Sequence, residues 1–275
     1  MGESQIDVAL NVFRITGVAW ALTVHKAAEA LAHGSEADLS AYLDSIDAQA
    51  FVALDSEALE MAEAELRQTG IVDGDGAISR HWVLAVWISA FGPLRAAAVV
   101  QTHETSVHTE LALSGGRGVG LTYLRRIRHG GSGIDVTATS NAVEIAFFAE
   151  ENAWAAIKRH LPDLAEVPEA TGLASPPAAG LSEIGARARY TIHLDVSAHP
   201  SGSRPSGPGA APVQAPDYLS RDVWALAERL YSVNASPSGE GFALTPVASD
   251  AIGHGLAWRM LGAREYLASV AGQVA

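Results

Sequence analysis

The chain has no cysteine among its 275 residues. That absence excludes disulfide bonds, thiolate metal sites and thiol nucleophiles together. Lysine is almost as scarce, because only Lys26 and Lys158 occur and neither follows a glycine. A phosphate-binding P-loop needs a lysine at the end of a glycine-rich loop, so the sequence excludes that motif as well.

Positive charge and long hydrophobic runs are also lacking. The chain holds 31 acidic residues against 18 lysines and arginines, for a net charge of −13, and residues 1–75 contain 14 of the acidic residues but only three basic ones. Such a surface repels nucleic acid and anionic membranes. The apolar run at 17–24 is far shorter than the roughly 20 residues that span a bilayer. Glu3 and Asp7 precede this run, where a signal peptide would carry positive charge. We therefore expect a cytoplasmic protein with no nucleic-acid partner and no membrane insertion.

The residues that are present predict a folded chain that begins with helices. The hydrophobic fraction is 48% and the charged fraction 18%, which is typical of globular proteins. Residues 18–50 are rich in alanine and are predicted to be helical. A second helix should begin near Ser56 and end at Gly70, and a tight turn at 71–78 should lead into a buried helix capped by Ser79.

The middle of the chain, residues 95–148, predicts an antiparallel β-meander. Apolar and polar residues alternate over 107–113, 134–139 and 143–148, as they do in strands with one buried face. A helix at 150–161 is predicted to cover the sheet. Strands followed by a packed helix indicate an α+β fold and not a doubly wound sheet.

The second half of the chain is predicted to repeat this combination on a smaller scale. The clearest strand of the sequence is 188–197, and an amphipathic helix is predicted over 220–231. A short strand around 242–245 follows, and the segment 256–270 stays ambiguous between helix and strand.

These elements divide the chain into two unequal halves that each combine sheet and helices. The predicted halves are 1–162 and 186–275, joined by a Pro/Gly/Ala-rich linker at 163–185. Five prolines in the segment 199–217 predict a disordered loop within the second half.

Histidines offer the strongest candidates for chemistry, and they fall short of a catalytic pattern. His103-Glu104 resembles the start of a zinc-protease helix, but the second histidine, His108, comes one position too late. On a hairpin the two imidazoles could face each other, with Glu110 as a third ligand, so an enzyme with a histidine-based site stays an alternative. We expect no metal, no cofactor, no catalytic residues and no enzyme activity.

DNA binding is a second alternative, because the predicted helix–turn–helix at 56–91 is similar to a winged helix. A recognition helix needs basic residues. Here the first helix is rich in glutamate, and the second carries only Arg80 and His81 at its start. The charge pattern therefore speaks against this alternative.

One stretch resembles a known family. The sequence 64–78, Ala-Glu-Leu-Arg-Gln-Thr-Gly-Ile-Val-Asp-Gly-Asp-Gly-Ala-Ile, is followed by a buried helix, Pro93, a meander and a helix that ends in Leu161-Pro162. This order is similar to that of the EspG family of type VII (ESX) secretion-associated proteins. The segment 262–267, Gly-Ala-Arg-Glu-Tyr-Leu, is loosely similar to a late element of that family, while the rest of the second half departs from it.

The resemblance implies a cytosolic, chaperone-like adaptor that binds secreted helical-hairpin proteins of the PE/PPE or WXG100 kind. It supplies no catalytic residues. Loops on a rigid sheet often carry binding residues. We therefore predict a partner-binding surface at the tip of the meander together with the C-terminal segment. Its residues are His103, Glu104, Thr105, Ser106 and Tyr266.

Overall fold

The structure is a computed structural model that describes residues 10–32, 56–130, 133–164, 184, 187–200, 217–236 and 241–274. The described helices are α1 (Gly17–Ala32), α2 (Ser56–Gln68), α3 (Arg80–Phe91), α4 (Ala153–Lys158), which a 3-10 turn (Glu150–Asn152) precedes, and α5 (Ala251–Val274). The described strands are β1 (Asn11–Thr16), β2 (Leu94–Gln101), β3 (Thr105–Ser114), β4 (Arg117–Gly130), β5 (Gly133–Ala149), β6 (Tyr190–Ala198), β7 (Tyr218–Leu226), β8 (Leu230–Ala235) and β9 (Phe242–Pro246).

The nine strands form one antiparallel sheet in the order β1-β5-β4-β3-β2-β6-β7-β8-β9. This confirms the predicted α+β fold with its meander, which is β2 to β5. The predicted strand 107–113 lies in β3 and most of 188–197 lies in β6. The two strands predicted at 134–139 and 143–148 belong to a single strand of 17 residues, β5.

The chain forms two compact units, and each is discontinuous in sequence. Unit 1 contains Met1–Gly92, Leu111–Tyr123 and Ser140–Asn152. Unit 2 contains Pro93–Glu110, Leu124–Thr139 and Ala153–Ala275. Each unit combines sheet and helices, and the bounds of the units differ from the predicted halves 1–162 and 186–275. The predicted linker and the predicted proline-rich loop lie almost wholly outside the described residues.

The core of unit 1 forms around helix α3. Its predicted burial is confirmed, since no residue of α3 after His81 is exposed. The ring of Trp82 meets Phe13 of β1 and Phe147 of β5 edge-on, at centroid distances of 5.0 and 4.8 Å. Such aromatic contacts add to the free energy gained by burying the rings. Ser79 occupies the position before the helix, but its side chain makes no capping hydrogen bond.

Helix α2 holds the start of helix α1 through one glutamate. The backbone N–H of Thr16 donates to Oε1 of Glu65 at 2.9 Å, and the Thr16 hydroxyl donates to Oε2 at 2.7 Å. The same hydroxyl accepts the N–H of Ala19 at 3.1 Å and so caps α1. The Glu65 carboxylate also lies where the helix dipole favours negative charge. Helix α2 ends before Gly70, whose φ of 70° matches its predicted role.

Unit 2 is built on a hairpin where the sequence predicted a helix. The prediction of an amphipathic helix over 220–231 is wrong, because β7 and β8 occupy that segment. Strand β7 pairs with β6 over nine residues, and the Arg221 side chain of β7 makes two hydrogen bonds of 2.7 Å to Asp195 of β6. Pairing with a partner that is distant in sequence outweighs the local helical pattern.

The helices of unit 2 also differ from the predicted lengths. The helix predicted at 150–161 is a 3-10 turn followed by the six residues of α4. The ambiguous segment 256–270 lies within α5, which has 24 residues. Helix α5 packs on β6 and β7 through a buried row at Ile252, Leu256, Met260 and Ala263.

Candidate binding surface

The tip of the meander is partly exposed, as predicted. His103 and Glu104 are exposed in the turn between β2 and β3, and Thr105 opens β3 half-buried. The Thr102 hydroxyl accepts the backbone N–H of Glu104 at 3.2 Å and of Thr105 at 3.0 Å, so the turn is ordered locally. Ser106 is only 3% exposed, which removes it from the predicted contact surface.

His103 and His108, the pair that the sequence suggested, each contact another side chain. The ring of His103 stacks on His129 of β4 at 5.1 Å. Nε2 of His108 lies 2.9 Å from the Ser106 hydroxyl, and burial lowers the pKa of His108, with a further contribution from Arg125. No group of three histidine or carboxylate side chains placed to hold a metal ion occurs in the part of the chain that the structure describes.

Tyr266, the fifth predicted contact residue, lies in α5 and is half-buried. Its ring centroid is 6.0 Å from that of Tyr218 in β7. Gly262, one turn earlier, leaves room for the Tyr218 hydroxyl, since a Cβ there would lie 2.9 Å from that oxygen. Tyr266 therefore contributes to the seating of α5 on the sheet and offers only part of its ring to a partner.

Helix α5 has two exposed large hydrophobic side chains that sequence reasoning missed. Trp258 is 72% exposed and Leu261 is 45% exposed. Both lie off the buried row that faces the sheet. Arg259 anchors the helix between them, because its guanidinium donates to both oxygens of Asp222 in β7 at 3.0 and 2.8 Å, and this pairing raises the pKa of Arg259. A helical reading of 251–274 would have placed Trp258 and Leu261 on the outer face.

A cleft of about 710 Å³ lies between α4 with the turn after it and the first half of α5. Its apolar walls come from Trp154, Leu161, Pro162, Leu164 and Ala257. Gly253 brings the two helices close, since a Cβ there would lie 3.0 Å from Cε2 of Trp154. His254 also lines the cleft. Because Trp258 follows His254 by one helical turn, cleft and exposed tryptophan share one face of α5.

The rim of this cleft carries charges of both signs. Lys158 and Asp163 come from the α4 side, and Asp250 and His254 come from α5. Nδ1 of His254 lies 3.6 Å from Oδ2 of Asp250, with both side chains well exposed. An apolar floor with a mixed polar rim is the composition of a protein-binding surface. We call the cleft, Trp258 and Leu261 together the α5 surface.

A smaller cavity of about 350 Å³ lies within unit 1, between α3 and strands β4 and β5. Its polar side chains are Asn11, His81 and Arg117. The His81 ring packs edge-on against Phe147 at 4.6 Å. Among the described lining residues, no carboxylate, hydroxyl or amine accompanies the imidazole.

A scan against protein-family models finds no match, and a search of the curated proteins finds none either. Among the described helices, none combines the length and the apolar character needed to cross a lipid bilayer.

Proposed function

We propose that the protein is a cytoplasmic, chaperone-like adaptor that binds a helical-hairpin substrate of a type VII secretion system through its α5 surface. The observation that carries the proposal is Trp258, which is 72% exposed beside an apolar cleft. Exposed tryptophans next to a pocket are frequent centres of binding energy in protein interfaces. The resemblance of residues 64–78 and of the elements after them to the EspG family supports the class of partner.

The dimensions of the α5 surface suit a helical partner. Helix α5 has 24 residues and is therefore about 36 Å long. An amphipathic helix docks by laying apolar side chains one turn apart into a hydrophobic groove. Trp258 and Leu261 are three residues apart, so they present two such contacts in line with the cleft. The exposed tip at His103 and Glu104 is a second contact candidate for the same partner.

The two alternatives have less support from the geometry. A winged-helix regulator would have to insert α3 into the DNA groove, yet Trp82, Val86 and Ile88 of that helix are buried in unit 1. The histidine-based alternative needs His103, His108 and Glu110 in one site. In the structure His103 stacks on His129, while Nε2 of His108 lies 2.9 Å from the Ser106 hydroxyl, and no group of three possible metal ligands occurs among the described residues.

Co-expression with helical-hairpin proteins encoded beside it tests the proposal. We expect one of them to co-elute with the chain in size-exclusion chromatography. Trp258→Ala should weaken that complex by roughly 10- to 100-fold, as truncation of a central contact does. Leu219→Ala is the matched control, because Leu219 is also an exposed apolar residue, at 66%. It follows Tyr218, which faces α5, on strand β7, and adjacent residues of a strand point to opposite faces of the sheet. Its removal should leave the affinity unchanged.

Two results would count against the proposal at different levels. If every candidate elutes alone and stays soluble alone, the adaptor function is wrong. If a complex forms and both variants bind equally well, the α5 surface is not the site. Glu104→Ala and Tyr266→Ala then test the surface predicted from the sequence.

A further inference from the structure

Among the strands that the structure describes, none lies beside the first half of one edge of β5. Strand β1 pairs with β5 only from Ala142 to Phe147, and the chain leaves the sheet at Gly17, where α1 begins. The other neighbour of β5 in the strand order is β4. In the described ranges, therefore, no strand hydrogen-bonds the outer edge of residues 133–139. Alternate backbone N–H and C=O groups of a strand point to either side, so this edge presents unpaired donors and acceptors.

The same segment is exposed on both faces. Every residue from Gly133 to Asn141 is exposed, although all of them lie in a strand. Ile134 and Val136 are 49% and 52% exposed, and they share one face because they are two residues apart. Natural proteins protect long open edges with proline, lysine or a covering loop. Residues 133–139 contain no proline and no lysine, and Asp135 is their only charged residue.

We infer that two copies of the chain associate by pairing residues 133–139 of β5 with the same residues of the second copy, antiparallel and with Val136 on the two-fold axis. Antiparallel pairing of a segment with itself is symmetric, so one interface satisfies both copies and closes the assembly at a dimer. The two sheets then continue through the paired strands. The inference is independent of the α5 surface.

The sequence of the segment is compatible with this register. With Val136 opposite itself, Ile134 lies opposite Ala138 and Asp135 lies opposite Thr137. The apolar residues of both copies thus occupy one face and contact one another, which stabilises a strand pair. The single acidic residue meets a hydroxyl and not a second carboxylate, so the pairing places no like charges directly opposite. The segment is therefore complementary to a second copy of itself, which favours a second copy of the chain over a strand of another protein.

Sedimentation velocity over a concentration series tests the dimer, because a short strand pair buries less area than a permanent interface and should dissociate on dilution. We expect the average mass to rise from monomer toward dimer between roughly 1 and 200 µM, as for weak interfaces of small area. Val136→Lys should abolish the rise, since it places two ammonium groups opposite each other. Leu219→Lys, an equally drastic change at an exposed strand residue, should leave it intact.

A mixture of two variants separates self-pairing from every other explanation. Val136→Lys and Val136→Glu should each stay monomeric alone, yet an equimolar mixture should regain dimer, because the two-fold axis brings the opposite charges together. Recovery supports the register, since a loss caused by misfolding could not be restored by mixing. If each variant stays monomeric and the mixture does too, the inference is wrong.

The absence of cysteine allows a direct check of the contact. Residues directly opposite in antiparallel strands have Cα atoms about 4.5–5.5 Å apart, which is within disulfide range. Oxidised Val136→Cys should migrate as a cross-linked dimer on a non-reducing gel, at least tenfold faster than Leu219→Cys. Equal cross-linking rates, a wild-type mass that stays monomeric to 200 µM, or a concentration-dependent dimer that Val136→Lys leaves unchanged would each overturn the inference. A monomer that gains mass only with a second protein would also overturn it.

Discussion

Helices α3 and α5 both carry a tryptophan, and they use it in opposite ways. In α3 of unit 1, Trp82 is 3% exposed and lies between two phenylalanine rings. In α5 of unit 2, Trp258 is 72% exposed. Helix α3 is apolar almost all round, while α5 has one buried row and an exposed outer face that carries the tryptophan.

The contrast separates a tryptophan that stabilises the core from one that the proposed function uses. A helix that is apolar all round must be enclosed, so the aromatic residues of α3 hold unit 1 together. In unit 2, the buried row of α5 packs the helix on the sheet. Trp258 lies outside this row, so packing on the sheet does not explain why a tryptophan stands there. A large apolar side chain that does not contribute to the core is a candidate for binding.

The largest expected effect comes from removing each tryptophan in turn. Trp82→Ala should lower the free energy of unfolding by about 4 kcal/mol, because it opens a cavity among packed rings. Trp258→Ala should change it by less than about 0.5 kcal/mol, because the side chain is in water already. Urea unfolding followed by circular dichroism measures both. Similar losses of unfolding free energy for the two variants would contradict the difference between a core tryptophan in α3 and a solvent-exposed one in α5.

A second pair of changes tests whether the helices of unit 1 depend on Glu65. Glu65→Ala should cost about 2 kcal/mol of unfolding free energy, since it removes two hydrogen bonds at the start of α1 and leaves Thr16 without its acceptor. Glu63→Ala lies two residues away on the same helix and loses only an exposed ion pair with Arg67, so it should cost about 0.3 kcal/mol. Equal costs would show that the capping contact adds nothing.

The smallest expected effect is a pH dependence in unit 2. Burial on β6 lowers the pKa of His193, an effect that Asp195 opposes and Arg221 reinforces. Below the ordinary histidine pKa of about 6.5, the unfolded chain therefore takes up a proton that the folded chain resists. Stability from this group is complete above that pH and falls as the pH is lowered.

Replacing the histidine should flatten that dependence. His193→Gln should lose less stability between pH 7 and pH 5 than the unchanged chain, as measured by denaturant midpoints at each pH. Thr191→Ser, two residues away on the same face of β6, removes no titrating group, so it is the matched control and should keep the original slope. If His193→Gln and the unchanged chain show the same slope, His193 does not contribute to the loss at low pH.

Local patterns predicted several elements of the fold correctly. Alternation over 107–113 and 188–197 predicted β3 and β6, and the glutamate-rich helix with its terminal Gly70 predicted α2. The turn at the tip of the meander was also predicted, and His103 and Glu104 are exposed in it. These features depend on residues near one another in the chain, where propensity and period are informative.

The errors have a common cause in long-range pairing. Ser220-Arg221-Asp222 reads as a helix start, but Arg221 instead forms an ion pair with Asp195, which is 26 residues away. Ser106 reads as part of an exposed turn, but it is buried at the start of β3. The α5 surface was missed because α5 carries Gly253, Gly255 and Gly262, and glycine weakens a helical pattern. Those glycines make room for Trp154, Trp224 and Tyr218.

The amino-acid sequence by itself determined what this protein is built from: a cysteine-free, acidic chain with an α+β pattern and one helix too apolar to stay in water. Periodicity and composition suffice for these properties because they are local. Only the tertiary structure decided that Ser220–Tyr231 forms a hairpin, that Trp258 is left outside the core and that no described strand pairs with the outer edge of residues 133–139. Each of these features depends on which sequence-distant segment packs against a residue, because burial and strand pairing are properties of the folded chain.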